Sequence, residues 1–439
     1  MATKGPSSLT IRTYAVGFGD CFLLSFEYAR GEKHVLIDFG STATPKAAPK
    51  DQVLRIARDI AKVTDGKLHA VVATHRHADH ISGFTTNAKG DGPGDIIRAL
   101  APDVVVQPWT EDPKARQDAK KATRSSQSGA AKLRLAKLRA IEVLDGMHEV
   151  AAAAERAGKR PGHGLSPEVA AQLAFIGEDN VKNLLAVKNL MSMPGAKRTY
   201  VNAGSKSGLE SVLPGVKIHV LGPPNLEQTD SIRKQTASDE DDFWQFWSRQ
   251  GLASASAIGP GAKLFPREVA TEIPPALRWF QQRLGTAFGD ELLRLVTILD
   301  QQMNNTSVIL LFEIGSKRLL FPGDAQLENW AFALSQPAVR KLLSGTTLYK
   351  VGHHGSLNAT PKKQLWPLFR KRSKKKNTAG RLLTLLSTRE DKHGHVQKKT
   401  EVPRSTLVEE LARESTLLST LDYAADELCR TTVVKFGTR

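Results

Sequence analysis

The chain has 439 residues, 40% hydrophobic and 24% charged, with a formal net charge of +17. These proportions are ordinary for a globular protein, and no apolar run reaches the ~20 residues that a membrane span needs. Two cysteines, Cys21 and Cys429, are too few for a disulfide scaffold and form no CxxC pattern, while the excess of positive charge favours polyanionic partners such as nucleic acid, nucleotides or anionic lipid heads. The first ten residues are polar and carry no apolar signal core, so a cytoplasmic location is the expectation.

Residues 9–14, 21–26 and 33–38 read as strands, the first two separated by the glycine-broken stretch Val16-Gly17-Phe18-Gly19-Asp20. Val53, Leu54, Ile56, Ala57 and Ile60 recur at helical spacing across residues 50–63. An apolar strand over 68–74 then delivers Thr74-His75-Arg76-His77-Ala78-Asp79-His80. Three imidazoles and a carboxylate within six residues, at the end of a buried strand, have the outline of a site for zinc, manganese or iron. The β-α-β order puts that loop at the strand edge where ligands commonly bind in α/β sheets.

A helix from Asp95 and a strand over 103–107 follow, and then residues 111–198 have helix-forming composition and the character of an insertion. Nine basic residues lie between Lys114 and Arg139 against the single acid Asp118, which fits either a basic arm over the site or a solvated helical face. Short strands resume at 200–203 and 216–221. A second insertion spans 225–302, where the acids at 239–242 adjoin Phe243, Trp244, Phe246 and Trp247. That mixture reads as a helix start with a packed aromatic face, with docking of a partner protein as the alternative use.

Strands are expected again at 306–313 and 318–321, the latter ending in Pro322-Gly323-Asp324. A helix over 326–343 precedes a strand over 347–351, which ends in Gly352-His353-His354-Gly355-Ser356. A basic segment free of acids runs from Lys362 and Lys363 to Lys376, and the chain closes with a strand at 382–387, a helix at 405–414 and a strand at 431–436. Asp324 and the His353-His354 pair thus share the strand-end placement of the histidine loop. A carboxylate there can bridge two metals, and a histidine from a further strand can complete a second coordination sphere. Ser356 reads equally as the cap of a helix starting near Thr360 or as a substrate contact.

The stretch His75, His77, Asp79, His80 resembles the HxHxDH signature of the metallo-β-lactamase fold. The blocks Val16 to Asp20, Leu36-Ile37-Asp38-Phe39-Gly40, Leu221-Gly222-Pro223-Pro224, Asn305-Thr306-Ser307-Val308, Leu320-Phe321-Pro322-Gly323-Asp324, Lys350-Val351-Gly352-His353-His354-Gly355-Ser356 and His393-Gly394-His395 are similar to the soluble metallo-β-lactamase-like domain of ComEC, the competence DNA-uptake channel, and its free-standing relatives. The resemblance implies an α/β, four-layer αβ/βα sandwich over residues 8–439, interrupted by two largely helical insertions. It implies that His75 and His77 hold a first metal, Asp79 and His80 a second, that Asp324 bridges, and that one of His353 and His354 completes the second sphere while the other donates a proton. Asp38 would orient a ligand imidazole. Members with a full first site supply another histidine where this chain has Gln107-Pro108-Trp109. Only His148, His163 and His219 lie between His80 and Asp324, so the first site is expected to carry extra waters, prefer manganese, or stay empty in a one-metal enzyme.

The function expected from site, resemblance and charge together is a hydrolase using one or two divalent ions, zinc or manganese, to cleave phosphodiesters of DNA or RNA. Lys350, Ser356, Lys362 and Lys363, with the basic segment that follows Ser356, are the expected contacts for the charge that develops on the substrate. The alternatives are a hydrolase of small phosphodiesters or thioesters, hosted by the same fold, and a non-catalytic scaffold with a degenerate metal site.

Overall fold

The computed structural model describes residues 5–114, 121–122, 184–229, 304–356, 359–392, 401–424 and 426–436. Both expected insertions fall outside these residues except at their edges, as do His148, His163, Trp244 and the His393-Gly394-His395 turn. The chain divides into two units. One comprises Met1–Ala130, Leu185–Ile232 and Met303–Arg439, and is described below; the other comprises Ala131–Leu184 and Arg233–Gln302.

The first sheet opens with an antiparallel meander, β1 (Ser8–Tyr14), β2 (Cys21–Tyr28) and β3 (Gly31–Phe39), then adds β4 (Ala70–Val72), β5 (Val104–Pro108) and β6 (Lys197–Val201) in parallel. Helices α1 (Gln52–Val63), α2 (Ala78–Ile81), α3 (Pro93–Ala99) and α4 (Leu184–Ser192) accompany these strands. The second sheet contains β7 (Lys217–Gly222), β8 (Ile309–Ile314) and β9 (Lys317–Phe321), antiparallel in succession. It continues in parallel through β10 (Leu348–Lys350), β11 (Leu383–Leu386) and β12 (Thr416–Ser419). Helices α5 (Leu327–Ser335), α6 (Pro337–Ser344) and α7 (Ser405–Glu414) belong to this half. A final strand, β13 (Cys429–Lys435), returns to the first sheet beside β1, giving orders β13-β1-β2-β3-β4-β5-β6 and β12-β11-β10-β9-β8-β7.

Strand alternation explains the layers. Phe22, Phe26, Val35 and Ile37 of the first sheet form one buried cluster with Leu310, Phe312, Phe321, Leu348 and Leu385 of the second. Phe22 meets Phe321 edge-on at 5.9 Å. The intervening positions Leu311, Leu320 and Tyr349 point the other way and pack with Trp330 and Leu334 of α5, Leu343 of α6, and Leu407 and Leu411 of α7.

Three local expectations are corrected. The single helix over 326–343 is two, because Pro337 cannot continue α5 and pushes Gln336 into an extended conformation (ψ 114°) before starting α6. No helix starts near Thr360, where a turn and a short 3-10 segment, Trp366–Leu368, occur instead. Strand β12 was not anticipated; its four residues are too short to display a period.

Candidate metal centre

The histidine loop leaves β4 and becomes helical only at Ala78, since His77 is still extended. His75 and His77 therefore project from extended chain, whereas Asp79 and His80, adjacent in one helical turn, diverge by about 100° and serve different neighbours. Asp79 Oδ2 lies 2.9 Å from His354 Nε2, and His80 Nε2 lies 3.0 Å from Asp324 Oδ2. Gly40 allows the end of β3 to press against this turn: a Cβ there would come within 2.5 Å of the Ala78 carbonyl oxygen. Next to it, Asp38 adopts φ +54°. Its carboxylate accepts from the Thr74 amide and hydroxyl, both at 2.7 Å, and lies 2.8 Å from His80 Nδ1.

The second sheet supplies the remainder. Gly323, at φ +57°, lies so close to Thr74 that a Cβ would sit 2.8 Å from that side chain, and the Val308 amide donates to the Thr74 carbonyl at 2.9 Å. His353 and His354 have φ of +44° and +51°. Such backbone is costly for non-glycine residues and persists only where surroundings enforce it. Here the His353 amide donates to Asp324 Oδ1 (3.0 Å), and His354 Nδ1 lies 3.0 Å from the Ser387 carbonyl. Because a carbonyl can only accept, Nδ1 of His354 carries the proton, and Nε2 is turned toward Asp79 and Asp324.

Two groups of ligand atoms share Asp79, each drawn together within 4.8 Å: Asp79, His80, Asp324 and His354, and His75, His77 and Asp79; a third, Asp20, Asp38 and His80, gathers around His80. All are buried, with His80 and His354 fully so. Asp79 Oδ1, His80 Nε2 and Asp324 Oδ2 are buried without a hydrogen bond of good geometry. Four nearly inaccessible carboxylates, Asp20, Asp38, Asp79 and Asp324, share this region with one lysine, Lys350. Burying unbalanced charge is expensive, and oxygen and imidazole donors converging on orphaned atoms fit divalent cations.

In the absence of an ion, protons take up part of this imbalance. Burial opposes charge on His80, but Asp324, Asp38 and Asp79 outweigh it and hold its pKa well above the usual range. His354 is raised similarly: burial opposes, and Asp324 leads the carboxylates that prevail. Burial favours protonated Asp324, yet His80, Lys350 and His354 drive its pKa well down. His75 differs, since burial and then His80 and His77 all depress it, leaving a neutral imidazole of the kind metals require.

His353 stays 26% exposed, with Nε2 4.0 Å from Asp324 Oδ2, so the two adjacent histidines occupy distinct environments. Lys350, expected to touch substrate, is 2% exposed; its Nζ contacts Asp20 and lies 3.3 Å from Asp324 Oδ1, behind that carboxylate. Burial holds it away from any bound polymer. Ser356 is half-buried in the turn after His354, and Lys362 and Lys363 are exposed. His219 pairs with Glu313 at 3.0 Å in the β7–β8 ladder and takes no part in either group. Gln107 is buried at the end of β5 and likewise joins neither. Asp20 was missed by sequence reasoning, although its glycine-flanked turn was a usable signal.

The basic segment after the His353-His354 turn was expected near the reacting atoms. Its later part lies elsewhere: Lys371 accepts the Leu382 amide at the start of β11, whereas Ser387, beyond the end of β11, holds His354. A parallel strand has to be re-entered from its beginning, so the crossover from β10 carries residues 370–376 to the opposite end of the sheet.

Residues 14–148 match the family model described as the metallo-beta-lactamase superfamily. Over that stretch the chain is similar to the metallo-beta-lactamase superfamily, and its two mixed sheets suit that fold. The match and the buried His/Asp cluster together support a metal-dependent hydrolase. A search of curated proteins returns no match to the chain. Among the described residues, no helix is long and apolar enough to cross a membrane.

Proposed function

We propose that the protein is a metal-dependent phosphodiesterase that hydrolyses DNA or RNA, related in plan to the ComEC-like four-layer domains. The observation that carries this reading is the pair of ligand groups sharing Asp79. Asp79, His80, Asp324 and His354 would hold one divalent ion, zinc or manganese, and His75, His77 and Asp79 a second. Such ions, when bound, supply hydroxide near neutral pH and positive charge for the oxygens of an in-line displacement.

The protein's own groups do the rest. Asp38 keeps His80 in one orientation by accepting from Nδ1, and the Ser387 carbonyl does the same for His354. Lys350 fixes Asp324 from behind. His353, partly exposed beside Asp324, is the group available to give a proton to the departing alkoxide. Ser356, Lys362 and Lys363 lie within ten residues of His353 along the chain and suit contact with substrate phosphate oxygens. The net charge of +17 favours a polyanion over a small ester. A scaffold that binds no metal would leave four buried carboxylates facing only Lys350 and whatever protons His80 and His354 hold, a costly arrangement that disfavours that alternative.

The test is hydrolysis of labelled single- and double-stranded DNA and RNA with added manganese or zinc, by wild type and by Asp79→Ala and Asp324→Ala. Cleavage that disappears in both variants supports the reading. A wild type that binds metal but leaves every polymer intact overturns it in favour of small phosphodiesters or thioesters.

A further inference from the structure

We propose that the end of the second sheet remote from the metal centre is a docking surface for the backbone of duplex nucleic acid. Lys341, Arg370, Lys371, Lys374, Lys375 and Lys376 are all exposed there, and none of them makes a side-chain ion pair among the described residues. They are neighbours in space as well as in sequence. The Arg370 amide donates to the Ser344 carbonyl at the end of α6, and the Arg318 guanidinium donates to the Lys341 carbonyl, which brings α6 and the 370–376 turn to one face.

The acids beside this face among the described residues are already engaged. Glu414 is engaged by Arg372 at 2.6 Å and lies 3.5 Å from Arg413, and Glu313 is taken by His219 and Arg318. The excess charge is therefore available to a partner.

The turn is also built, which separates it from a merely solvated run of lysines. Arg381 Nε donates to the Ser373 carbonyl and Nη2 to the Arg413 carbonyl, each at 2.8 Å. The Leu382 amide donates to Lys371 at 2.7 Å, the Ser373 amide donates to Glu414 at 2.8 Å, and the Ser373 and Thr378 hydroxyls meet at 2.7 Å. Backbone held from several sides presents its lysines with less ordering cost on binding.

The surface chemistry selects the partner. Large exposed hydrophobics among the described residues are Leu185, Leu327 and Val433, all outside this face, so no apolar anchor for a bilayer is present. Trp366 is 3% exposed under the Arg372 guanidinium and offers no platform for an unstacked base. Single strands are gripped by such platforms; a charged surface lacking them suits phosphates on a duplex exterior. The five steps of chain from Leu382 to Ser387 set this face roughly 16 Å from the metal centre at ~3.3 Å per residue. The phosphates held here are thus different from the one at the ligand groups.

The experiment is anisotropy on the full chain with a labelled DNA duplex several turns long, its single strand, and phosphatidylserine vesicles, across a salt series. Lys374→Gln/Lys375→Gln/Lys376→Gln is compared with wild type, and Lys341→Gln/Arg370→Gln serves as an independent second variant. The triple variant should weaken duplex binding at least about tenfold and flatten the log–log salt slope by about 2 to 3, since each lost phosphate contact removes about 0.9. Unchanged melting temperature checks folding. Duplex affinity and slope unaltered in both variants, preference for the single strand, or loss confined to vesicles would each overturn the proposal. Binding and cleavage report separately: a duplex bound through these lysines by a protein that cuts no DNA or RNA sinks the nuclease reading alone, whereas a duplex held equally by the variants and wild type sinks this one.

Discussion

The two ligand groups that share Asp79 are built unequally. Asp79, His80, Asp324 and His354 come from three separate segments and both sheets, and three of the four are braced from outside, His80 by Asp38, Asp324 by Lys350 and His354 by Ser387. His75, His77 and Asp79 come from one loop, and the two imidazoles face each other, His75 Nε2 lying 3.0 Å from His77 Nδ1. Among the described residues nothing adds a fourth ligand to the second group. The contrast teaches that ligand count and bracing both follow from how many strand ends reach a point. It also predicts stepwise loading, the four-ligand group filling first.

The largest effect should come from the shared residue. Asp79→Ala removes a ligand from both groups, so metal content should fall below one equivalent and turnover by on the order of 10³-fold, the scale of losing a group that acts directly at the reacting atoms. His354→Ala and His75→Ala should then part company. Titration calorimetry should show the tight equivalent lost in the first and only the weak one lost in the second, and equal losses would refute the asymmetry. Asp38→Asn should weaken the tight equivalent by about 10- to 100-fold, as outer partners of metal ligands do, with activity recovered at high metal.

The smallest effect concerns a histidine pair outside both groups. His34 and His69 are coupled through the His34 amide, which donates to His69 Nδ1 at 3.1 Å. Burial, then Arg12 and Lys33, lower His34 to about 4, and burial, then Lys33, lowers His69 to about 4. Folded values below the unfolded ~6.5 mean that the unfolded chain takes up protons first. Stability is therefore full above pH 6.5 and declines as pH falls toward 4. Urea midpoints of metal-free protein should drop between pH 7 and 5, and His69→Gln should flatten that slope. A flat wild-type profile would show that acid sensitivity belongs to the ligand groups instead.

Much of this clustering was legible in the sequence. The loop from His75 to His80, Asp324 and His354 each follow an apolar run at a strand end, and strand ends converge in an α/β sheet. The turn that carries Asp20 was visible, but the role of its carboxylate was not, because that role depends on the approach of Lys350, 330 positions away in the chain. The basic run misled for the opposite reason. Its closeness in sequence to His354 suggested closeness in space, yet the rule for parallel crossovers would have sent it to the far end. In the helical half, Pro337 was visible and should have divided the helix that was read across it.

The Thr74 carbonyl receives the Val308 amide, and Gly323 abuts the Thr74 side chain, so the two sheets are joined at the same point from which the ligands emerge. An ion held there would fasten one half of the sandwich to the other, and its binding energy would become folding energy. At a hundredfold excess over its dissociation constant that is about 2.7 kcal/mol. A melting curve recorded against each candidate ion should therefore act as a gauge of which cation the protein was built around, read without any substrate at all.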